Sequence, residues 1–189
     1  MPQQLSSRIA IVVPVFNTAK YLSECLDSIR AQTYSNFSVF LIDDGSTDDS
    51  PSICDRYANQ DDRFHVLHKI NGGVSTARNA ALELIERKGG FDWIICLDSD
   101  DYLSNDALEM VSTRGAQLKA DMLVFGVQRF SKDGFQVDGK KSHTTLILNC
   151  QDAFRFSFDQ MPESRLSPAF SYFIGNIAFS ADLIRGIRS

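Results

Sequence analysis

No apolar run in this 189-residue chain approaches the length of about 20 residues that a membrane-spanning helix needs. The opening segment, MPQQLSSR, lacks the apolar stretch of a signal peptide. Cysteine is scarce: Cys25, Cys54, Cys96 and Cys150 lie too far apart for a CxxC pair, which argues against metal ligation. Reduced, structural thiols are expected, and with them a reducing, cytoplasmic setting in which membrane contact is at most peripheral. The three histidines, His65, His68 and His143, have no ligand spacing with one another or with cysteine, so surface roles are expected. Positive charge is also short. Nineteen Lys and Arg face 24 Asp and Glu, giving a net charge of −5 with no long basic run, so nucleic acid is not an expected partner. Neither an internal repeat nor a linker interrupts the chain, and its length suits one domain by the usual span of about 100–200 residues.

What is present is organised around Phe91–Leu103, FDWIICLDSDDYL. The run Trp93–Leu97 is short, apolar and rich in β-branched residues, which reads as a strand buried on both faces. It stops at Asp98-Ser99-Asp100-Asp101. Three carboxylates there repel one another, and such a cluster serves either as a solvated turn capping the next helix or as a seat for a cation. Earlier segments repeat the pattern of strand, polar loop and helix. Arg8–Val13 reads as a strand ending at Pro14, followed by a loop through Thr18 and an amphipathic helix over Ala19–Gln32. Phe37–Ile42 is a second strand running into Asp43-Asp44-Gly45-Ser46-Thr47-Asp48, with a helix from Pro51 to Asn59 capped by Asp49 or Ser50. Phe64–His68 is a third strand, Asn71-Gly72-Gly73 a turn, and Val74–Arg87 a helix closed by Gly89-Gly90. Strands alternating with helices predict a parallel sheet with right-handed crossovers, so the loops at Pro14–Asn17, Asp43–Thr47 and Asp98–Asp101 should gather on one edge. Beyond them, Ser104 is expected to cap a helix to Leu118. Strands are expected near Asp121–Phe130, Phe135–Val137 and His143–Leu148, a helix from Asn149 to Phe158 and a loop at Met161–Pro168. A final helix opens at Ser180.

Five blocks together carry a resemblance: VVPVFN (Val12–Asn17), SIRAQTY (Ser28–Tyr34), LIDDGSTDDS (Leu41–Ser50), NGGVSTARNAAL (Asn71–Leu82) and LDSDDYL (Leu97–Leu103). In order and spacing the chain resembles glycosyltransferase family 2 over roughly its first 110 residues. The resemblance implies a GT-A fold: a mixed, mainly parallel sheet flanked by helices, with a Rossmann-like N-terminal half. It also implies sugar transfer from a nucleotide-sugar, commonly a UDP-sugar, with Mn²⁺ or Mg²⁺. On that reading Asp100 is the expected metal ligand and Asp101 a second one or a helix cap. Asp98 would meet the ribose or a metal-bound water, with Ser99 beside it. Asp44 would accept from the uracil imide, Asp43 would support the turn or join it, and Pro14, Val15 and Phe16 would line the base. Arg78 would meet the diphosphate, and Gly72 and Gly73 would let the backbone approach closely.

The resemblance thins after Leu118. Asn176–Leu183 carries Ile177, Ser180 and Ala181 where the family has lysine and a basic pair, and no Glu-Asp pair suited to a catalytic base precedes Ser189. Residues 1–118 therefore read as the nucleotide-sugar half of a single domain, and 119–189 as an incomplete acceptor half, cut short at its end. The base is expected beyond Ser189. The leading expectation is an inverting, metal-dependent transferase acting on a glycan or lipid-linked acceptor in cell-surface polysaccharide synthesis. The alternative is a module that binds a nucleotide-sugar and transfers nothing. A haloacid-dehalogenase-type phosphotransferase also places acid-x-acid after a strand, but leaves VPVFN and DDGSTD unexplained.

Overall fold

Burial on both faces decides the centre of the molecule. In the computed structural model, which describes residues 7–118, 120–124, 146–148 and 177–188, every residue of β1 (Ile9–Val15) and β2 (Phe37–Asp43) is buried. Ile9, Ile11, Val13 and Val15 face one helical layer, formed by α1 (Ala19–Arg30) and α2 (Ser50–Gln60), with Leu22, Cys25, Leu26, Ile29, Ile53 and Tyr57 packed in between. Ala10 and Val12 face the other, where Ala77, Ala81 and Ile85 of α3 (Val74–Lys88) close on the sheet. The small alanines let α3 sit close to the strands. Burying one such Leu or Ile side chain contributes about 1.5–3 kcal/mol, so truncating Leu26, which is fully buried, would cost that and a cavity penalty besides.

The strand order is β3-β2-β1-β4-β7-β5-β6 among the described residues. β3 (Phe64–His68) and β4 (Trp93–Cys96) join β1 and β2 in the parallel half. β5 (Met122–Val124), β6 (Leu146–Leu148) and β7 (Ile177–Ser180) add antiparallel pairings, with β7 inserted between β4 and β5. α4 (Ala107–Leu118) covers the α1 side, and α5 (Ala181–Arg188) follows β7, its start fixed by Ser180 Oγ accepting from Leu183 N–H. α4 approaches the sheet so closely that a Cβ on Gly115 would lie 2.3 Å from Trp93 Cζ2. Glycine in a helix interior costs about 1 kcal/mol, and the indole fills the space it leaves.

Three boundaries differ from expectation. β1 runs through Pro14 to Val15. Val12 O accepts from Leu97 N–H and Val15 O from Asp44 N–H, so alternate residues bond to opposite sides and Pro14 turns toward β4, whose ladder has ended at Val12–Cys96. The missing proline N–H therefore costs no ladder bond. Ser104 is not the cap of α4, which begins at Ala107, with Met110 N–H bonding to Asp106 O. Asp49 occupies the N-cap position of α2 but makes no side-chain cap bond; Asp48 Oδ1 accepts from Ser50 N–H at 2.9 Å in its place. The expected elements at Phe135–Val137, Asn149–Phe158 and Met161–Pro168 lie outside the described residues.

Candidate active site

Parallel register brings the carboxyl ends of β1, β2 and β3 level, because Val15 pairs with Asp43 and Asp43 with His68. The polar loops therefore share one rim. The loop after β1 is pinned to the loop after β2. Asn17, with φ at 52°, accepts from Thr47 N–H at 2.8 Å through Oδ1, and its own N–H donates to Ser46 Oγ at 3.0 Å. Asparagine tolerates this left-handed conformation better than most residues. Gly45 also has positive φ, 75°, and a Cβ there would lie 2.8 Å from Asn71 N. The second loop can therefore lie against the Asn71-Gly72-Gly73 turn only with glycine at that place.

Both acids of the second loop are 3% exposed and already engaged. Asp43 Oδ1 accepts from Ser46 N–H at 3.0 Å and Oδ2 meets His68 Nδ1 at 2.8 Å, while His68 Nε2 meets Asp55 Oδ1 at 3.1 Å. A carboxylate on each ring nitrogen requires both nitrogens to donate, which is the imidazolium form. The bond to Asp43 first, then that to Asp55, outweighs burial and raises the His68 pKa. Asp44 takes Gly72 N–H at 3.0 Å, Gly73 N–H at 2.7 Å and the Lys69 ammonium. Burial alone would raise its pKa, but Lys69 and the two glycine N–H groups together hold it below the usual carboxylate value. Lys69 Nζ also donates to Ile70 O and Thr76 Oγ1, so its three protons are used.

The third loop is less settled. Arg78, on α3, donates through Nη2 to Asp98 Oδ1 at 2.8 Å, and its Nε is buried with no hydrogen-bond partner among the described residues. Asp100 and Asp101 are exposed. Burial first, then the Asp100 and Asp98 charges, raises the Asp101 pKa. Cys25 lies under this loop, its Sγ 3.8 Å from Asp98 O; burial and then the charges of Asp101, Asp100 and Asp98 push its thiol well up. Burial likewise takes Cys96 to about 11. Cys25, Cys54 and Cys96 are buried and free, as inert structural thiols are; Cys150 lies outside the described residues.

Several expected contacts are altered by this geometry. Pro14 and Val15 are buried in the β1 ladder; of that trio only Phe16, 49% exposed, presents its side chain at the surface. Ser99 is buried as well. Gly72 and Gly73 direct their N–H groups at Asp44. Asp44 is only 3% exposed and already accepts from three donors, so an imide N–H would meet a carboxylate in use. Lys69 contributes to the rim, and Ser28 and Gln32 bond the main chain behind Asp98–Asp101, without having been anticipated as site residues. A lone lysine one residue past a strand carries no local signal, and a serine and glutamine near a helix end read as surface. No group of three or more His, Cys, Asp or Glu among the described residues is gathered closely enough to hold a metal alone. The oxygen chemistry of Asp98, Asp100 and Asp101 nonetheless suits a hard cation that takes its remaining ligands from phosphate. A hollow of about 320 Å³ lies elsewhere, by Gly90, Asp92, Trp93, Asp182 and Arg185 at the opposite end of β4. No helix among the described residues is long and apolar enough to cross a membrane.

Comparisons with known proteins converge with this geometry. The glycosyltransferase GlyG of Streptococcus pneumoniae serotype 4 is 40% identical over 121 residues, 64% of this chain and 39% of GlyG. S. aureus TarS 1–349 in complex with UDP-GlcNAc superposes with a TM-score of 0.60 at 27% identity, over 68% of this chain and 36% of that one. The mannosyltransferase PcManGT of Pyrobaculum calidifontis, in complex with GDP-Man and Mn²⁺, gives 0.54 at 26%, over 65% and 36%. The chain thus spans well under half the length of these relatives, and the fold they share with it is GT-A. The sequence profile of glycosyl transferase family 2 matches residues 10–178. That match takes in all five motif blocks and both halves of the sheet, and the chain belongs to this family.

Proposed function

We propose that this chain supplies the donor-binding part of an inverting, metal-assisted glycosyltransferase that takes a UDP-sugar. The observation that carries the reading is the double attachment of α3. Its N-cap residue Gly73 and the preceding Gly72 are held by Asp44, and about one turn on, Arg78 holds Asp98. One helix therefore fixes the spacing between a loop suited to a nucleoside and a loop suited to a diphosphate. TarS with UDP-GlcNAc and PcManGT with GDP-Man and Mn²⁺ support a nucleotide-sugar donor and a divalent ion.

Phe16 would stack on the base, since an exposed ring offers area without an unmet polar group. Arg78 would turn its unused Nε toward the diphosphate and share its charge with Asp98. Asp98 and Asp100, with Asp101 in reserve, would hold Mn²⁺ or Mg²⁺ together with phosphate oxygens. A cation so held neutralises the charge that grows on the leaving diphosphate. An acceptor hydroxyl, on a glycan or lipid-linked sugar of a surface polysaccharide, completes the reading, and no described residue is assigned as its base.

Calorimetric titration with UDP and with GDP, each with Mn²⁺ and with chelator, tests this. UDP is expected to bind more tightly with Mn²⁺, and Asp100→Ala to abolish that gain while leaving metal-free binding unchanged. Absence of UDP binding in either condition refutes the donor assignment, whereas an unaltered gain in Asp100→Ala moves the metal elsewhere.

A further inference from the structure

The block Ser28–Tyr34 takes no part in the nucleotide rim, yet its polar side chains are not idle. Cys25, Ser28 and Gln32, three and four residues apart, line one side of α1 and run off its C-terminal end, as helical spacing places them. All three reach the backbone of the segment between β4 and α4. Cys25 Sγ lies on Asp98 O. Ser28 Oγ donates to Cys25 O at 2.7 Å and accepts from Leu103 N–H at 3.1 Å. Gln32, only 8% exposed, donates through Nε2 to Ser104 O at 2.7 Å and to Ser28 O at 3.1 Å, and accepts through Oε1 from Leu108 N–H at 3.0 Å. Thr33 N–H adds a bond to Asn105 O at 2.9 Å.

Residues 97–106 form neither helix nor strand, so no regular ladder fixes their shape. They also hold four carboxylates, of which Asp98, Asp100 and Asp101 repel one another, and, among the described ion pairs, one cation, Arg78. Left to itself the segment would spread its charges apart. The bonds from α1 fall on its main chain, not on its carboxylates, so they fix the path of the loop and leave the Asp100 and Asp101 oxygens available. An amide side chain of this length donates to Ser104 O and accepts from Leu108 N–H together, which accounts for a buried glutamine at that place.

We propose that Ser28 and Gln32 are positioning residues that hold Asp98–Asp101 at the rim in the arrangement a diphosphate-bound cation needs. The proposal rests on the donor reading above and adds residues outside the donor contacts. Its test uses Ser28→Ala, Ser28→Thr and Gln32→Met, with two readouts. The first is amide hydrogen exchange over residues 98–106, with β1 and β2 as internal reference. The second is the ratio of UDP affinities with Mn²⁺ and with chelator. Exchange should quicken in this segment alone in Ser28→Ala and Gln32→Met. The Mn²⁺ ratio should fall about tenfold, the scale of one buried hydrogen bond, with metal-free affinity unchanged. Ser28→Thr, which keeps the hydroxyl, should restore both. Unchanged exchange in Ser28→Ala and Gln32→Met, or faster exchange with an intact Mn²⁺ ratio, overturns the proposal. A wild-type protein with no Mn²⁺ gain overturns the metal part of the donor reading, and the exchange readout then judges the tether by itself.

Discussion

Asp43-Asp44 lies at the end of one buried strand and Asp98–Asp101 just past another of the same parallel half-sheet, yet they are in opposite electrostatic states. In the first loop both carboxylates are buried and supplied with donors from backbone, lysine and histidine. Asp44 is held below the usual carboxylate pKa as a result. In the second, Arg78 pairs with Asp98 alone among the described ion pairs, and Asp101 is shifted the other way by burial and by its neighbours. A saturated carboxylate is a structural joint, since breaking it strands its donors. An unsaturated cluster is a place where positive charge is favourable, and in this molecule it is also the more exposed of the two. Sequence similarity between acidic turns says nothing of this difference; the partners come from distant segments.

The comparison breaks most visibly at Asp44. Asp44→Ala would leave the Lys69 ammonium and the Gly72 and Gly73 N–H groups without their acceptor. The expected cost is about 3 kcal/mol, the range seen when one member of a buried pair is removed. Asp100→Ala, by contrast, should leave stability within about 0.5 kcal/mol. Urea denaturation of both variants checks the pair. A loss below about 1 kcal/mol in Asp44→Ala would show that the clamp is weaker than its geometry indicates.

This contrast also marks how far the sequence could be read. Hydrophobic runs and turn residues located β1–β4 and α1–α3 to within a residue or two at most ends, because continuous apolar strands and amphipathic helices are local patterns. Their parallel order followed, and with it the gathering of three loops on one edge. Pro14 misled at the end of β1, since proline commonly stops a strand and only the earlier end of β4 makes its position harmless. Ser104 misled at α4: its carbonyl accepts from Gln32, just past α1, and from Ala107 N–H, and the helix begins three residues later. The reversed insertion of β7 between β4 and β5 has no local signature at all. At the site, acids and arginine were legible as residue types, while their pairing was not. Asp44 reads as a free acceptor until Lys69 and the two glycine N–H groups are seen around it.

A smaller effect, of opposite sign, is expected at Asp101. A carboxyl group whose folded pKa is raised holds its proton more firmly in the native state, so folding loses stability as pH rises through the raised value. Asp101→Asn removes that loss. The variant should be more stable than the parent near pH 7 by up to about 1 kcal/mol, discounted for exposure. The gap should close below the ordinary carboxylate range, where both side chains are neutral. Thermal melts from pH 3 to 7 follow it, and a variant less stable throughout would mean that Asp101 is engaged as an acceptor. Added salt should narrow the neutral-pH gap through screening.

The smallest effect belongs to His68, whose two carboxylate partners tie the saturated loop to α2. Its folded pKa is raised, so its contribution is fully present below the unfolded value of 6.5 and is lost as pH climbs through the folded one. The ring is 43% exposed, which limits the contribution to about 0.5 kcal/mol. His65, three residues earlier on β3 and near Lys88 and Arg8, is shifted down, by burial first and then by those charges. It contributes the opposite slope, with stability falling as pH drops, and so masks part of the His68 effect in the parent protein. The difference between the parent and His68→Gln isolates it. That difference should favour the parent at pH 6 and shrink by pH 8. A constant difference across this range would mean that the imidazolium is not what joins Asp43 to Asp55, and the saturation of the first loop would then rest on its backbone donors and Lys69 alone.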